Sequence, residues 1–390
     1  MEETQRLLRE FERIIGSAAD ARVYFAPGRV NLIGEHTDYN GGHVFPCALT
    51  IGTYAAAAVR SDRKLRMYSA NFPEEGVIEG SLDDLVYRRE DGWTNYPKGV
   101  IKEAAERGYP LRQGLDILYY GNIPNGSGLS SSASIEVLTG EILRDFGGYG
   151  FDGITNALIG QAAENRFIGV NCGIMDQFAI AMGKKNHAIF LDTATLSYEY
   201  APVAMEGIRI VIMNTNHKRG LGESKYNERR AECEQALAEL QTVVDVPSLG
   251  ALTASDFAEY EGAIASPVRR RRARHAVTEN ERTIRAVTAL KEGNLAEFGR
   301  LMNESHKSLR DDYEVTGIEL DTLVTAAWNV PGVIGARMTG AGFGGCAVCL
   351  VKEGSVDTLI REVGGKYEET IGYPAAFYVV EIGGGPGRLR

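Results

Sequence analysis

The chain has little of several features that define other classes of protein. Its 5 cysteines among 390 residues follow no regular spacing, so a disulfide framework is excluded and reduced thiols in a cytoplasmic protein are expected. No apolar run approaches the roughly 20 residues of a membrane helix. Residues 1–15 mix charges with apolar residues on one helical face, which is unlike a secretory signal. The net charge of −10 argues against nucleic acid or an anionic membrane as the main partner.

What is present is the composition of an ordinary enzyme, with 44% hydrophobic and 24% charged residues. A chain of 390 residues exceeds what one compact core usually holds, so two domains are predicted, at 1–190 and 191–390. Strand-like and helix-like periods are mixed in both halves, which predicts an α+β protein. Nothing in the sequence indicates an obligate protein partner, and a monomer is compatible with it.

The stretch from Pro124 to Ala133, PNGSGLSSSA, lies between a predicted strand at 115–119 and a predicted helix at about 135–143. Glycine lets backbone N–H groups approach a ligand, and a helix N-terminus carries partial positive charge and unpaired donors. The stretch therefore favours a phosphate site, with an ordinary serine-capped turn as the alternative. It is not a Walker A loop, because no Gly-Lys-Ser/Thr follows the glycines.

A second polar stretch, RVNLIGEHTDYNGG, occupies residues 29–42 after the first predicted strand. Glu35, His36 and Asp38 can exchange hydrogen bonds with several hydroxyls of one small polar ligand. The alternative is a polar hairpin turning at Asn-Gly-Gly. A metal site at His36 and His43 is disfavoured, because no third ligand stands at a standard spacing.

Two carboxylates in the middle of the chain are candidates for chemistry. Glu164 stands near the end of a helix predicted at 155–167, and Asp176 stands in the apolar segment IMDQFAIAMG. An acid in an apolar setting with a partner can carry a reaction. An aspartate that caps a helix is the alternative for Asp176.

The second half contains one more glycine motif, TGAGFGG at 339–345. It satisfies G-x-G-x-x-G, but a strand is predicted after it instead of a helix, so a Rossmann site is discounted. A tight strand-to-strand loop pressed against a ligand or the other domain is predicted. The arginine run at 269–274 favours a solvated helix face over an anion site. Cys346 and Cys349 would point to opposite faces of a strand. The tail GGGPGRLR is predicted to be flexible, and a contact with either domain is left open.

The chain has one glycine-containing motif early, one in the middle and one late, and in this order they resemble the motifs of the GHMP family of small-molecule kinases. PNGSGLSSSA is similar to that family's phosphate loop, P-x-x-x-G-L-S-S-S-A, and TGAGFGG to its third motif. GRVNLIGEHTDYNGG closely resembles the galactokinase signature, G-R-x-N-x-I-G-E-H-x-D-Y. CGIMDQF and SKYNERRAECE look like galactokinase segments as well, whereas FPCAL departs from a Leu-Pro-Met-Ala type segment.

The resemblance implies a two-domain GHMP-kinase-like architecture with the active site in the cleft between the domains. It implies phosphorylation of α-D-galactose by ATP at the anomeric hydroxyl, the first phosphorylation step of galactose catabolism. Asp176 would accept or orient the hydroxyl proton, with Arg29 beside it. Ser132 and Glu164 would hold Mg²⁺. The implied ATP-binding residues are Ser69, Gly126, Ser127, Gly128, Leu129, Ser130, Ser131 and Ser132.

For the sugar, the resemblance implies binding through Glu35, His36, Thr37, Asp38, Gly173 and Tyr226. Two alternatives remain open on the sequence. One is a related kinase of N-acetylgalactosamine, arabinose or a uronic acid, which would share the ATP loop. The other is a non-catalytic sensor of galactose and ATP, although both GLSSSA and Asp176 are intact here.

Overall fold

A computed structural model describes residues 2–124, 128–203, 206–217 and 222–390. In those ranges the first half of the chain mixes helices and strands as predicted. Its helices are α1 (Glu2–Ile14), α2 (Asn95–Glu106), α3 (Ser131–Gly147), α4 (Gly153–Ala162) and α5 (Met175–Ala181), and a π-helical turn at Ala163–Ile168 follows α4. Its strands are β1 (Arg22–Asn31), β2 (His43–Val44), β3 (Pro46–Val59), β4 (Lys64–Ser69), β5 (Ile78–Ser81), β6 (Leu115–Gly121), β7 (His187–Asp192) and β8 (Tyr198–Pro202).

The second half is also a mixture of both kinds of element. Its strands are β9 (Ile208–Asn214), β10 (Val333–Thr339), β11 (Cys346–Lys352), β12 (Ala376–Val380) and β13 (Gly387–Arg388). Its helices are α6 (Gly222–Leu240), α7 (Ala254–Tyr260), α8 (Pro267–Lys291), α9 (Leu295–Asp311), α10 (Gly317–Trp328) and α11 (Val356–Ile371). No helix within the described ranges is long and apolar enough to cross a bilayer.

A six-stranded sheet in the order β13-β1-β3-β6-β4-β5 organises the first half. Successive residues of a strand point to opposite faces, so the alanine run of β3 serves two layers. Ala55 and Ala57 face the core under α2 and α3, whereas Ala56 and Ala58 face α1. Small side chains on both faces let helices pack closely on each side. A separate sheet, β2-β7-β8, lies beside this one.

A four-stranded sheet in the order β10-β11-β9-β12 organises the second half. One of its faces packs under α10 and α11, and the other belongs to a core that also contains residues of β1 and β3. Cys349 lies on the first face and Cys346 on the second, which confirms that this pair points apart. Because the second core draws on both halves, they are packed against one another.

The C-terminal tail returns to the first sheet, so the predicted flexibility is wrong. Strand β13 pairs antiparallel with β1, with Tyr24 opposite Arg388 and Phe25 opposite Gly387. Leu389 also donates its backbone N–H to the Val23 carbonyl at 2.7 Å. An edge strand has unpaired backbone groups, and the tail satisfies those of β1.

The arginine run in α8 does not form a purely solvated face. Arg272 is 2% exposed, and its guanidinium donates to Glu232 at 2.9 Å and to the Asp312 carbonyl at 2.6 Å. Arg269 reaches Glu239 on α6. A buried guanidinium is stable only with such partners, so the arginines tie α8 to α6 and to the segment after α9.

Candidate active site

A bulge in β1 directs Arg29 towards the start of α3. The β1–β3 register shifts between Pro27 and Arg29, and a bulge of this kind re-aims the side chains beside it. A Cβ at Gly28 would lie 3.0 Å from the Leu129 carbonyl oxygen, so glycine leaves room for the phosphate loop to approach. The Arg29 N–H donates to that same carbonyl at 3.3 Å.

The Arg29 guanidinium and the Asp176 carboxylate form a bidentate pair. Nε donates to Oδ1 at 2.8 Å and Nη2 to Oδ2 at 2.9 Å, while Nη1 donates to the Gly128 carbonyl at 2.8 Å. The Arg29 side chain is 3% exposed and that of Asp176 is 31% exposed. Asp176 lies in the first turn of α5 without capping it, and its exposed part faces open space beside the phosphate loop.

The phosphate loop is described only from Gly128 onwards, so Gly126 and Ser127 lie outside the described residues. Ser130 stands at the N-cap position of α3 with φ 60°, and its hydroxyl donates to Asp176 Oδ2 instead of capping the helix. The alternative of a serine-capped turn is therefore not formed by Ser130, because its hydroxyl bonds to Asp176 on the other side of the site. The N-terminal N–H groups of α3 remain a suitable anion site at Ser131 and Ser132.

Glu164 lies in the π-helical turn after α4, close to α3 and α5. Burial, together with the negative charge of Asp176, raises the pKa of Glu164 to about 7, and the nearby Ser132 side chain opposes that rise. Gln177 donates to Glu164 Oε2 at 2.8 Å. The described ranges contain no group of three His, Cys, Asp or Glu side chains suited to a metal. A hydroxyl and one carboxylate fit Mg²⁺, which usually takes its other oxygens from phosphates and water.

Residues 29–42 are called the sugar loop, because the resemblance implies that they bind the sugar. Asp38 in this loop faces the turn before α5. The Met175 N–H donates to its Oδ2 at 3.4 Å, and a Cβ at Gly173 would overlap the same carboxylate. Glycine is therefore required at 173 by the close approach of Asp38. Burial, reinforced by the charge of Asp176, raises the pKa of Asp38 to about 7. Hydrogen bonds donated by hydroxyl groups would stabilise the ionised form of this carboxylate.

His36 lies in an aromatic enclosure next to Asp38. Its Nδ1 is 2.8 Å from the Tyr39 hydroxyl, and its ring centroid lies 4.8 Å from that of Tyr313 and 5.6 Å from that of Tyr226. Burial lowers the pKa of His36 to about 3, so the ring is neutral at pH 7. His36 has φ 61°, a backbone conformation that non-glycine residues rarely adopt and that is often found at functional sites.

Glu35 and Thr37 bond mainly to the protein itself. Glu35 Oε2 accepts from Asn31 at 3.0 Å, and Oε1 accepts from the Gly340 N–H at 2.7 Å and from Arg337 at 3.4 Å. The Thr37 hydroxyl lies 2.7 Å from the His43 carbonyl oxygen. These contacts hold the loop in shape, and a direct role towards the sugar stays a prediction for both residues.

Ser69 ends β4, where its hydroxyl accepts the Asn71 N–H at 3.3 Å. None of its contacts within the described ranges reaches the pair of Arg29 and Asp176. The structure thus places Arg29, Asp176, Gly128 and Ser130 in direct contact, and Ser69 apart from them.

Three further residues of this region are not among the predicted site residues. Gly340, in the predicted strand-to-strand loop, bonds to Glu35, and a Cβ there would lie 2.8 Å from the Gly128 carbonyl oxygen. Arg337 is fully buried behind Glu35. Gln177 follows Asp176 in the chain, and an amide next to that acid inside an apolar run is a signal that the sequence itself offers.

Comparison with known proteins first defines the class. The model of the GHMP kinases N-terminal domain matches residues 95–184, and that of the GHMP kinases C-terminal domain matches 286–369. A mevalonate kinase from Methanococcus jannaschii shares the fold, with a TM-score of 0.68 at 17% identity over 94% of this chain and 99% of that one. The fold is that of a GHMP small-molecule kinase.

The family follows from closer relatives. The galactokinase galactose-binding signature matches residues 9–59. A galactokinase from Clostridium beijerinckii is 57% identical over the full length of both chains, and one from Bacillus subtilis is 56% identical over 97% of each. The crystal structure of Lactococcus lactis galactokinase complexed with galactose has a TM-score of 0.98 at 50% identity, covering 99% of this chain and 100% of that one. The chain belongs to the galactokinase family.

Proposed function

We propose that this chain moves the γ-phosphoryl group of ATP to the anomeric hydroxyl of α-D-galactose, giving galactose 1-phosphate and ADP. Phosphorylation of galactose with ATP follows from membership in the family. The anomeric position, the place at the first phosphorylation step of galactose catabolism and the roles of individual residues are the proposal. The observation that carries these roles is the contact of Arg29, Ser130 and Asp176 beside the start of α3.

Asp176 is proposed to accept the proton of the attacking hydroxyl. Two of its hydrogen-bond donors come from one guanidinium, which fixes the orientation of the carboxylate, and its exposed part remains open to a sugar. A general base must lie within hydrogen-bond reach of the proton that it takes. A galactose held by Asp38 and His36 would present its anomeric hydroxyl towards α5.

Charge on the transferring phosphoryl group is proposed to be stabilised from two sides. The N-terminus of α3 directs backbone N–H groups at the phosphates, and Arg29 supplies a fixed guanidinium next to Gly128. Phosphoryl transfer depends on such positioning and electrostatic stabilisation more than on covalent help from the protein. Gly128 to Ser132 would line the phosphate side, with Gly126, Ser127 and Ser69 retained as proposed nucleotide residues.

Mg²⁺ is proposed to be held by Ser132 and Glu164. The pKa of Glu164 is raised by burial and by the Asp176 charge, and a cation would counter both effects. When bound, the metal would neutralise part of the negative charge of the ATP phosphates. Glu164 and Ser132 need only offer oxygen ligands at the right place.

Sugar selectivity is proposed to rest on buried polar groups that glucose cannot satisfy. Asp38 accepts hydrogen bonds from sugar hydroxyls, the neutral His36 ring and Tyr226 close the pocket, and Gly173 leaves space for Asp38. Glu35 and Thr37 complete the set. A buried acceptor left unpaired weakens binding strongly, so a wrong stereocentre is rejected.

Three organisational points are proposed as well. The domains divide near residue 190, although the tail returns to the first sheet. The enzyme works in the cytoplasm as a monomer, with neither nucleic acid nor an obligate protein as partner. The active site lies in the cleft where both domains meet.

A panel of sugars in an ADP-coupled assay tests the proposal. Galactose should have the highest kcat/KM among hexoses, and glucose a value lower by at least about 10², because buried polar groups go unpaired. A preference for N-acetylgalactosamine, arabinose or a uronic acid would reassign the substrate. Binding of galactose and ATP without any turnover would support a sensor.

A further inference from the structure

Behind Glu164, the side chain of Gln177 joins two carboxylates. Its amide nitrogen donates to Glu164 Oε2 at 2.8 Å and to Glu136 Oε2 at 2.9 Å. Gln177 and Glu136 are both fully buried. A carboxamide nitrogen has two hydrogens, so it can satisfy both acceptors at once, and these acceptors fix which end of the amide faces them.

The three side chains come from the three elements that build the site. Glu136 lies one turn after Ser132 on α3, Glu164 lies in the turn after α4, and Gln177 follows Asp176 on α5. The small residue Gly160 makes this convergence possible. A Cβ there would lie 3.1 Å from Gln177 Cγ and 3.4 Å from Glu136 Cβ, so a larger side chain would push the helices apart.

We propose that Gln177 is a positioning residue for Glu164 and that Glu136 is its buried anchor. The inference rests on the metal role proposed above for Glu164. One of the two amide hydrogens holds Glu164 Oε2, so the other carboxylate oxygen is directed to the phosphate side. The second hydrogen engages Glu136, which prevents the amide from turning away. Partners of a metal ligand commonly change metal affinity about 10- to 100-fold when removed.

The first experiment measures binding, not turnover. Isothermal titration gives the affinity for a non-hydrolysable ATP analogue in the presence of galactose, with and without Mg²⁺. The ratio of the two dissociation constants is the magnesium effect. Gln177→Met keeps the length of the side chain and removes the amide, and it should reduce this effect about 10-fold or more.

Conservative variants separate positioning from packing. Glu136→Gln keeps an oxygen acceptor for the amide and should recover most of the magnesium effect that Glu136→Leu loses. The double variant Glu136→Leu/Gln177→Met leaves no anchor carboxylate unpaired, so its stability should exceed that of Gln177→Met. Its magnesium effect should stay low, because Glu164 is still not held.

Thr139→Val is the matched control on α3. Thr139 is fully buried and bonds to the Ile135 carbonyl at 2.7 Å, away from Glu164. This variant should lose stability without losing the magnesium effect. If it lost both, or if Gln177→Met kept the full effect, the positioning role would be refuted.

Glu164→Gln distinguishes this inference from the proposal beneath it. If Glu164→Gln keeps the magnesium effect, the metal role itself fails, and the positioning role fails with it. If Glu164→Gln abolishes the effect while the folded double variant retains it, only the positioning role is overturned. Loss in both variants supports the two statements together.

Discussion

The Asp176 carboxylate receives three hydrogen bonds from two side chains, and this arrangement sets how single variants should behave. Arg29 donates twice and Ser130 once, all from the side of the phosphate loop. A planar guanidinium suits this geometry, whereas an ammonium could satisfy only part of it. We therefore expect Arg29 and Asp176 to act as one unit on the reacting hydroxyl.

The variant Asp176→Asn should lower kcat by about 10² to 10⁴, the usual range for loss of a general base. Galactose affinity should change little, because an amide still bonds to a hydroxyl. Arg29→Lys should also lower kcat. In a double-mutant cycle on kcat the two losses should be less than additive, because both residues serve one proton transfer. Full additivity would show that they act independently.

Asp38 gives the site a dependence on pH near neutrality. Its pKa is raised to about 7, mainly by burial and further by Asp176, so about half of the free protein carries it protonated at pH 7. Hydroxyl donors favour the ionised carboxylate. Galactose binding should therefore release protons.

Galactose affinity, measured without nucleotide, should rise between about pH 6 and pH 8 and then level off. At pH 6 only about a tenth of Asp38 is ionised, so binding should be about tenfold weaker than on the plateau. Titrations in buffers of different ionisation enthalpy report the released protons. Asp38→Asn should bind weakly at every pH. Tighter binding of the wild type at pH 6 would mean that the protonated acid is the form that binds sugar.

Among the elements of the fold, the loop between β10 and β11 contacts both the sugar loop and the phosphate loop. Gly340 has φ +82°, donates to Glu35 in the sugar loop, and lies against the Gly128 carbonyl of the phosphate loop. The predicted tight strand-to-strand loop is confirmed, and of the two neighbours left open for it, a ligand or the other domain, the described contacts are with residues of the first half of the chain. The element that follows this loop is the strand β11, which confirms the prediction that a strand and not a helix comes after TGAGFGG.

Gly340→Ala should lower kcat about tenfold or more, because a Cβ would displace the phosphate loop and small misplacements reduce rates strongly. Gly372→Ala is the matched control, with φ +91° and open space around it. Both variants should lose stability from backbone strain, by about 1 kcal/mol. Thermal denaturation and kcat, measured on both variants, separate the steric effect on the phosphate loop from backbone strain alone. Equal kcat losses in the two variants would contradict the steric explanation.

At the scale of the whole molecule, a shared core and the C-terminal tail hold the two halves of the chain together. The core shared by both halves includes β1 and β3 together with β9 and β11. The tail then pairs with β1, and Ile382 forms a bridge to Leu49. The final residues of the chain therefore stabilise the sheet whose strand β1 carries Arg29.

Deleting residues 387–390 should lower the melting temperature by about 2 °C or more, since it removes the β13 pairing and leaves the β1 edge open. Arg388→Ala keeps the backbone pairs and should lose less. Differential scanning fluorimetry compares the two variants, and the KM for galactose should stay constant. An unchanged melting temperature after the deletion would show that the pairing adds no stability.

The sequence determined the class of elements and the identity of the motifs. The amphipathic period of residues 1–15 indicated α1, the apolar run at 115–119 placed β6, and strand alternation separated Cys346 from Cys349. These features depend on neighbours along the chain, which a sequence displays directly. The motifs also indicated the galactokinase family, which the comparisons confirm.

The tertiary structure alone decided which side chains meet. A serine-capped turn was the alternative for the start of α3, and Ser130 instead donates to Asp176. The tail, expected to be flexible with a contact to either domain left open, pairs with β1, and Arg272 was expected on a solvated face and is buried. Each of these outcomes depends on a partner far away in the sequence. A polar group takes the partner that folding brings within reach, because leaving a buried donor or acceptor unpaired costs more free energy than any local preference supplies.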